Sequence, residues 1–80
     1  MASLNNSQVS FIRANQDMFR KLPKEPFLFK DIETTDKSGL ISFLHKADER
    51  GLFVRHGEVD GRVVREVREG VWRYLDENST

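Results

Sequence analysis

The sequence predicts a small, mainly α-helical domain with one β-hairpin, an α+β arrangement of three helices and two strands. Two apolar stripes recur at helical spacing, one before Pro23 and one between residues 40 and 47. Asp60-Gly61, a strong signal for a two-residue hairpin turn, lies between two strand-like runs. Because 80 residues suffice for only one small core, we expect 1–80 to be a single domain, with 1–6 and 77–80 disordered.

The first helix is predicted over residues 7–22. Asn6 or Ser7 can cap its start, and Pro23 ends it because proline lacks the backbone donor that a helix interior needs. Its apolar stripe consists of Phe11, Ile12, Met18, Phe19 and Leu22. An extended entry at Phe27, a brief helix over 30–33 and a turn at 34–35 follow.

The second long helix is predicted over about 36–50, capped by Thr35 or Asp36 and stopped by Gly51 in the left-handed conformation. Its apolar side carries Leu40, Ile41, Phe43, Leu44 and Ala47. The opposite side carries Ser38, Ser42, His45, Lys46 and Glu49. We expect Leu40, Phe43 or Ile41, Leu44, Leu52 and Phe19 to share one core, with Phe11 and Trp72 also inside.

The hairpin is predicted over about 52–68. A two-residue turn at Asp60-Gly61 sets Val59 opposite Arg62 and therefore Arg55 opposite Glu66, a pair of opposite charges. The last apolar segment, 71–77, fits a helix or a strand, and the sequence leaves both open.

Composition excludes several classes of protein. No apolar run approaches the ~18 residues of a membrane span, and no cysteine is present to form a disulfide or a thiolate metal site. A polar N-terminus predicts no secretory signal, so we expect a cytoplasmic protein. No phosphate loop, nucleophile elbow or metal motif is present, and His45 and His56 stand alone. We expect no enzyme activity, no cofactor and no metal.

The order of elements resembles the winged helix-turn-helix family. The resemblance is carried by four stretches: Phe29-Lys30-Asp31-Ile32-Glu33, Thr35-Asp36-Lys37-Ser38, Leu40 to Leu44, and Glu49-Arg50-Gly51-Leu52-Phe53-Val54. Small regulators of archaea, bacteria and their viruses are the most similar members.

The resemblance implies a sequence-specific regulator that binds double-stranded DNA as a homodimer. The helix at about 36–50 would enter the major groove, and the wing at about 52–68 would lie on the backbone or in the minor groove. Base contacts would come from Lys37, Ser38, Ser42 and His45, a phosphate contact from Lys46, and wing contacts from Arg55, His56, Arg62 and Arg65. The dimer contact would use the first helix, the C-terminal segment with Trp72 and Tyr74, or both.

A second function remains open, in which the winged helix binds a protein, as an adaptor or as an inhibitor of a host factor. The formal net charge is zero, with 13 basic and 13 acidic residues, whereas phosphate binding usually requires a basic surplus. Glu58 and Asp60 also lie near the tip of the hairpin. Both observations favour this alternative.

Overall fold

A computed structural model describes residues 4–32 and 37–78, with side chains in the second range from residue 39 onward. This part of the chain is a small α+β domain with four α-helices and one antiparallel two-stranded hairpin. The elements are α1 (Asn6–Ala14), α2 (Gln16–Arg20), α3 (Lys37–Glu49), β1 (Phe53–Val59), β2 (Arg62–Val67) and α4 (Glu69–Glu77), with a 3₁₀ turn at Phe29–Asp31.

Helix α1 begins with a capping box. The side chain of Asn5 accepts a hydrogen bond from the backbone N–H of Gln8 at 2.8 Å, and the Gln8 side chain accepts from the N–H of Asn5 at 2.9 Å. These two bonds satisfy donors that a helix start leaves free. Asn5 and Asn6, expected among the disordered residues, therefore belong to the helix start, and at the other end Glu77 is the last residue of α4.

The single first helix predicted over 7–22 is divided in two at Asn15. The Asn15 backbone leaves helical geometry (φ −125°, ψ 29°), and its side-chain amide donates to the Phe11 carbonyl at 2.8 Å. Asparagine competes for backbone hydrogen bonds in this way, which disfavours it in helix interiors. The apolar stripe continues across the break, since Ile12, Phe19 and Leu22 are all buried.

Helix α3 buries the side that its spacing predicted. Leu40, Phe43, Leu44 and Ala47 are at most 6% exposed, whereas Ile41 is 53% exposed and lies outside the core. Phe43 contacts Phe19 edge to face, with ring centroids 4.8 Å apart, in an arrangement aromatic pairs prefer. The remaining buried residues are Ile12, Leu22, Phe27, Leu52, Phe53, Val67, Val71 and Leu75. Phe11 and Trp72 pack against this core and are only partly buried.

Gly51 ends the turn after α3 with φ of 73°, which confirms the predicted left-handed stop. The next two residues, Leu52 and Phe53, enter the core and carry the chain into β1. The two-residue turn is confirmed as well, because Val59 pairs with Arg62 across Asp60 and Gly61.

The predicted Arg55–Glu66 pairing is wrong. Arg55 lies opposite Arg65 and Val54 lies opposite Glu66, since the register shifts between Arg55 and Glu58. This shift is a β-bulge in which β1 carries one extra residue at His56-Gly57. Gly57 has φ of 102°, a conformation that residues with a Cβ rarely adopt.

Two segments flank the hairpin. Phe27 exchanges two backbone hydrogen bonds with Arg65, of 2.8 and 2.9 Å, which confirms the extended entry and sets β2 between β1 and this residue. The segment left open between helix and strand is helical, as α4, and buries Val71 and Leu75. The brief helix predicted over 30–33 is the 3₁₀ turn, while the predicted turn at 34–35 and the caps at Thr35 or Asp36 lie outside the described residues.

Candidate nucleic-acid interface

The solvent side of α3 brings together three of the predicted contact residues. Ser42, His45 and Lys46 are all exposed, because the other side of the helix is committed to the core. Lys37 and Ser38 occupy the first turn of the same helix, and their side chains lie outside the described residues. Ile41 and Glu49 share this exposed surface.

His45 also contacts the segment before α3. Its ring meets the ring of Phe29 edge to face, with centroids 5.9 Å apart and planes at 90°. Phe29 belongs to the 3₁₀ turn and packs against the core. The contact therefore holds the imidazole at a defined place beside the exposed side of α3.

Asp48 of α3 fixes the hairpin to the helix. Its carboxylate accepts two hydrogen bonds from the Arg65 guanidinium, at 3.1 and 3.2 Å, in the bidentate geometry that arginine and carboxylate favour. The guanidinium also lies over the Phe29 ring, 4.3 Å from its centroid. Two of its N–H groups serve this internal contact, and the Arg65 side chain is only 15% exposed, so little of it faces outward.

Sequence reasoning did not single out Asp48. The signal was its position: Asp48 follows Leu44 by four residues and so extends the buried side of α3 with a charge. A carboxylate at the end of an apolar stripe needs a partner when it is partly buried. Its main partner, Arg65, is 17 residues away in the sequence, and several arginines and lysines lie nearer, so no local pattern indicated which residue supplies the partner.

Arg55 lies opposite Arg65 across the strands and shares the same carboxylate. Its Nη2 is 3.5 Å from Oδ2 of Asp48, which offsets the repulsion expected between like charges in directly paired positions. The Arg55 side chain remains 66% exposed. It is therefore placed at the hairpin base with most of its surface open to a ligand.

The other two predicted hairpin residues differ in their surroundings. His56 contacts a carboxylate oxygen of Glu66 through Nε2 at 2.8 Å, on the side of the hairpin away from the core. Arg62 is exposed next to the turn and forms no ion pair within residues 4–32 and 37–78. Glu58 and Asp60 are exposed beside it, so the tip of the hairpin presents mixed charge.

Clusters of titratable side chains and depressions of the surface are further places where a site could lie within the described residues. Across the described ranges no three His, Asp or Glu side chains group as metal ligands would. An open depression of about 570 Å³ lies at the break between α1 and α2 and is lined by residues 13–18. Its lining contains one carboxylate, that of Asp17, and no histidine.

The described helices are all too short and too polar to cross a bilayer. The chain matches no protein-family model, no curated protein and no solved structure. The exposed side of α3 and the hairpin beside it are therefore the features from which a function can be inferred.

Proposed function

We propose that the protein is a sequence-specific regulator that binds double-stranded DNA, with α3 in the major groove and the hairpin on the backbone or in the adjacent minor groove. One observation carries the proposal. α3 is buried along one side, its other side presents Ser42, His45 and Lys46 together with the apolar Ile41, and Asp48 ties the same helix to the hairpin. Together with the element order of a winged helix, this is the arrangement that groove readers use.

Small and polar residues on the exposed side of α3 suit it to the major groove. The major groove of B-DNA is about 12 Å wide and admits one α-helix. Gly39 and Ser42 lie one turn apart on the exposed side and are small, which favours close approach of the helix to base edges. His45 and Ser42 can each donate and accept hydrogen bonds, as base readout requires.

The charges predict modest affinity with a shallow dependence on salt. Lys46, Arg55 and Arg62 are exposed cations of α3 and the hairpin, and Glu49, Glu58 and Asp60 are exposed within three residues of one of them in the sequence. If each cation neutralises one phosphate, log K should fall against log salt with a slope of about −2.7. Arg65 adds little, because its guanidinium is committed to Asp48.

Regulators of this kind occupy paired half-sites as dimers, and we propose a homodimer here as well. The contact through α1 or through Trp72 and Tyr74 of α4 stays a prediction. Trp72 and Tyr74 are partly buried against the chain's own core, which leaves only a part of each for a partner.

Phosphate contact is tested by replacing Arg62. Arg62→Ala should weaken binding to every duplex alike and reduce the salt slope by about one unit. Arg13→Ala, which removes an exposed arginine from α1, is the matched control and should leave the slope unchanged. Fluorescence anisotropy on random duplexes at two salt concentrations measures both.

Base readout is tested on α3 with duplex DNA from the protein's own promoter region. Ser42→Ala and Lys37→Ala should each cost about 1–3 kcal/mol on the true operator and much less on random DNA. Ser42→Glu should be worse, because it sets a carboxylate near the phosphates. Equal losses on operator and random DNA would contradict a reading role for α3.

The second candidate is a module that binds a protein partner. Exposed Ile41 (53%) on α3 and Val59 (50%) on the hairpin favour it, as does the zero net charge, because such surfaces suit protein contacts better than phosphates. It predicts that none of these substitutions changes DNA binding. If duplex DNA binds no more tightly than about 10⁻⁴ M, which is the weak end of non-specific binding, the protein-binding module is favoured over a DNA-binding regulator.

A further inference from the structure

The outer edge of β1 has no partner strand. Within residues 4–32 and 37–78, the backbone of 53–59 pairs only with β2. The edge contains no lysine or proline, and its protection against pairing is limited to the bulge and the charges of Arg55 and Glu58. Val54 (44% exposed) and Val59 (50% exposed) lie along it.

The hydrogen-bonding groups of two residues point toward this free edge. Arg65 uses its backbone N–H and C=O on Phe27, so the Arg55–Arg65 pair is a non-hydrogen-bonded one and the backbone groups of Arg55 face away from β2. Val59 and Arg62 close a two-residue turn and form a hydrogen-bonded pair, so the backbone groups of the preceding residue, Glu58, also face outward. In a regular strand only residues an even number of positions apart face the same edge. The extra residue of the bulge lets Arg55 and Glu58, three positions apart, both face the free edge.

The edge is complementary to itself. It reads Val54-Arg55-His56-Gly57-Glu58-Val59. When a second copy runs antiparallel with Arg55 opposite the partner's Glu58, Val54 falls opposite the partner's Val59 and His56 opposite the partner's Gly57. Every pairing then occurs twice about a two-fold axis, apolar with apolar and cation with anion.

We propose that β1 pairs with β1 of a second copy of this chain in this register, which joins the two hairpins into one four-stranded antiparallel sheet. Arg55 and the partner's Glu58 exchange backbone hydrogen bonds, and their side chains form an ion pair that further offsets the Arg55–Arg65 repulsion. The bulges face each other at the two-fold axis, so the spacing between hydrogen-bonded pairs is the same on both strands. Such an isologous contact closes the assembly at two chains.

The contact uses none of Ser42, His45 or Lys46, but it shares Arg55 and His56 with the proposed DNA-binding surface, so association is measured in the absence of DNA. It is distinct from the contact through α1 or α4. The contact is short, so we expect weak association, which sedimentation should follow up to about 1 mM, the range of a weak protein contact.

Disulfide trapping tests the register. Val54 and the partner's Val59 form a non-hydrogen-bonded pair, whose Cα atoms lie about 4.5 Å apart, within the range that a disulfide spans. The chain has no native cysteine. In a glutathione redox buffer, a mixture of the Val54→Cys and Val59→Cys chains should yield a covalent dimer of twice 9.3 kDa. Each variant alone should yield at least about tenfold less.

Charge reversal supplies the second measurement. Glu58→Arg sets arginine opposite the partner's Arg55 and should weaken association in sedimentation equilibrium by about tenfold or more. Glu25→Arg, the same charge change at an exposed site, is the control and should have no effect, and thermal melts verify that both variants fold. A monomer at every concentration, or a dimer that Glu58→Arg does not weaken and the mixed cysteines do not trap, would overturn the proposal.

Discussion

The two faces of the hairpin are built from alternating residues of the same strands. One face packs against the core, and the other is exposed to solvent. Phe53 and Val54 are neighbours in β1, yet Phe53 is 6% exposed and Val54 is 44% exposed. The core face rests on Phe27 and Phe29, whereas the outer face meets solvent. Because side chains alternate along a strand, one residue step separates a position that holds the fold from one that is free to bind.

The same division separates the polar contacts between side chains. Arg65 and Asp48 meet on the core face with side chains 15% and 18% exposed, and His56 and Glu66 meet on the outer face with side chains 40% and 35% exposed. Charged contacts contribute more where water is excluded, because breaking them leaves an unpaired buried charge. The comparison thus separates residues that look equivalent in the sequence.

The largest expected effect is on the core face. Phe53→Ala should lower the free energy of unfolding by about 3–5 kcal/mol, because it removes a buried ring and leaves a cavity. Val54→Ala, one residue away, should change it by no more than about 0.5 kcal/mol. Urea unfolding at low micromolar concentration, where pairing of β1 edges contributes nothing, measures both. Similar losses of unfolding free energy for the two variants would contradict the distinction between the two faces.

Removing the core-face ion pair should have an intermediate effect. Arg65→Ala leaves the Asp48 carboxylate with only the exposed Arg55 nearby and should cost about 1–3 kcal/mol. Arg62→Ala, which removes an arginine from the exposed tip, should stay within about 0.5 kcal/mol. Thermal unfolding of both variants gives the comparison, and an unchanged melting temperature for Arg65→Ala would show that Asp48 does not fix the hairpin.

The smallest expected effect is on the outer face. A double-mutant cycle with His56→Ala and Glu66→Gln should give a coupling below about 0.5 kcal/mol, as is usual for half-exposed pairs. The same cycle with Arg65→Ala and Asp48→Asn should give a larger value. Equal coupling energies in the two cycles would mean that burial does not determine how much each contact contributes to stability.

Much of the fold follows from the spacing of apolar residues and from turn chemistry. The buried side of α3, the stop at Gly51 and the pairing of Val59 with Arg62 are all confirmed, since each depends on neighbouring residues alone. The division of the first helix at Asn15 and the bulge at His56-Gly57 were missed. Both depend on a backbone geometry that only the packed domain selects.

The candidate site was harder to predict than the fold. The sequence placed Ser42, His45 and Lys46 on one exposed helix side, because periodicity determines which way a helical residue points. It could not distinguish Arg65 from Arg62, although one contacts Asp48 and the other lies at the tip. That difference arises from contacts between residues 17 positions apart, which no local pattern encodes.

Both tryptophan and tyrosine occur once in this chain, and both lie on α4. Trp72 is partly buried, with the Lys24 ammonium 5.5 Å from its ring centroid. Intrinsic emission therefore reports chiefly on the docking of the C-terminal helix, because the hairpin contains neither chromophore. Amide exchange in β1 and β2 that proceeds while the emission stays constant would identify the hairpin as a separately opening unit.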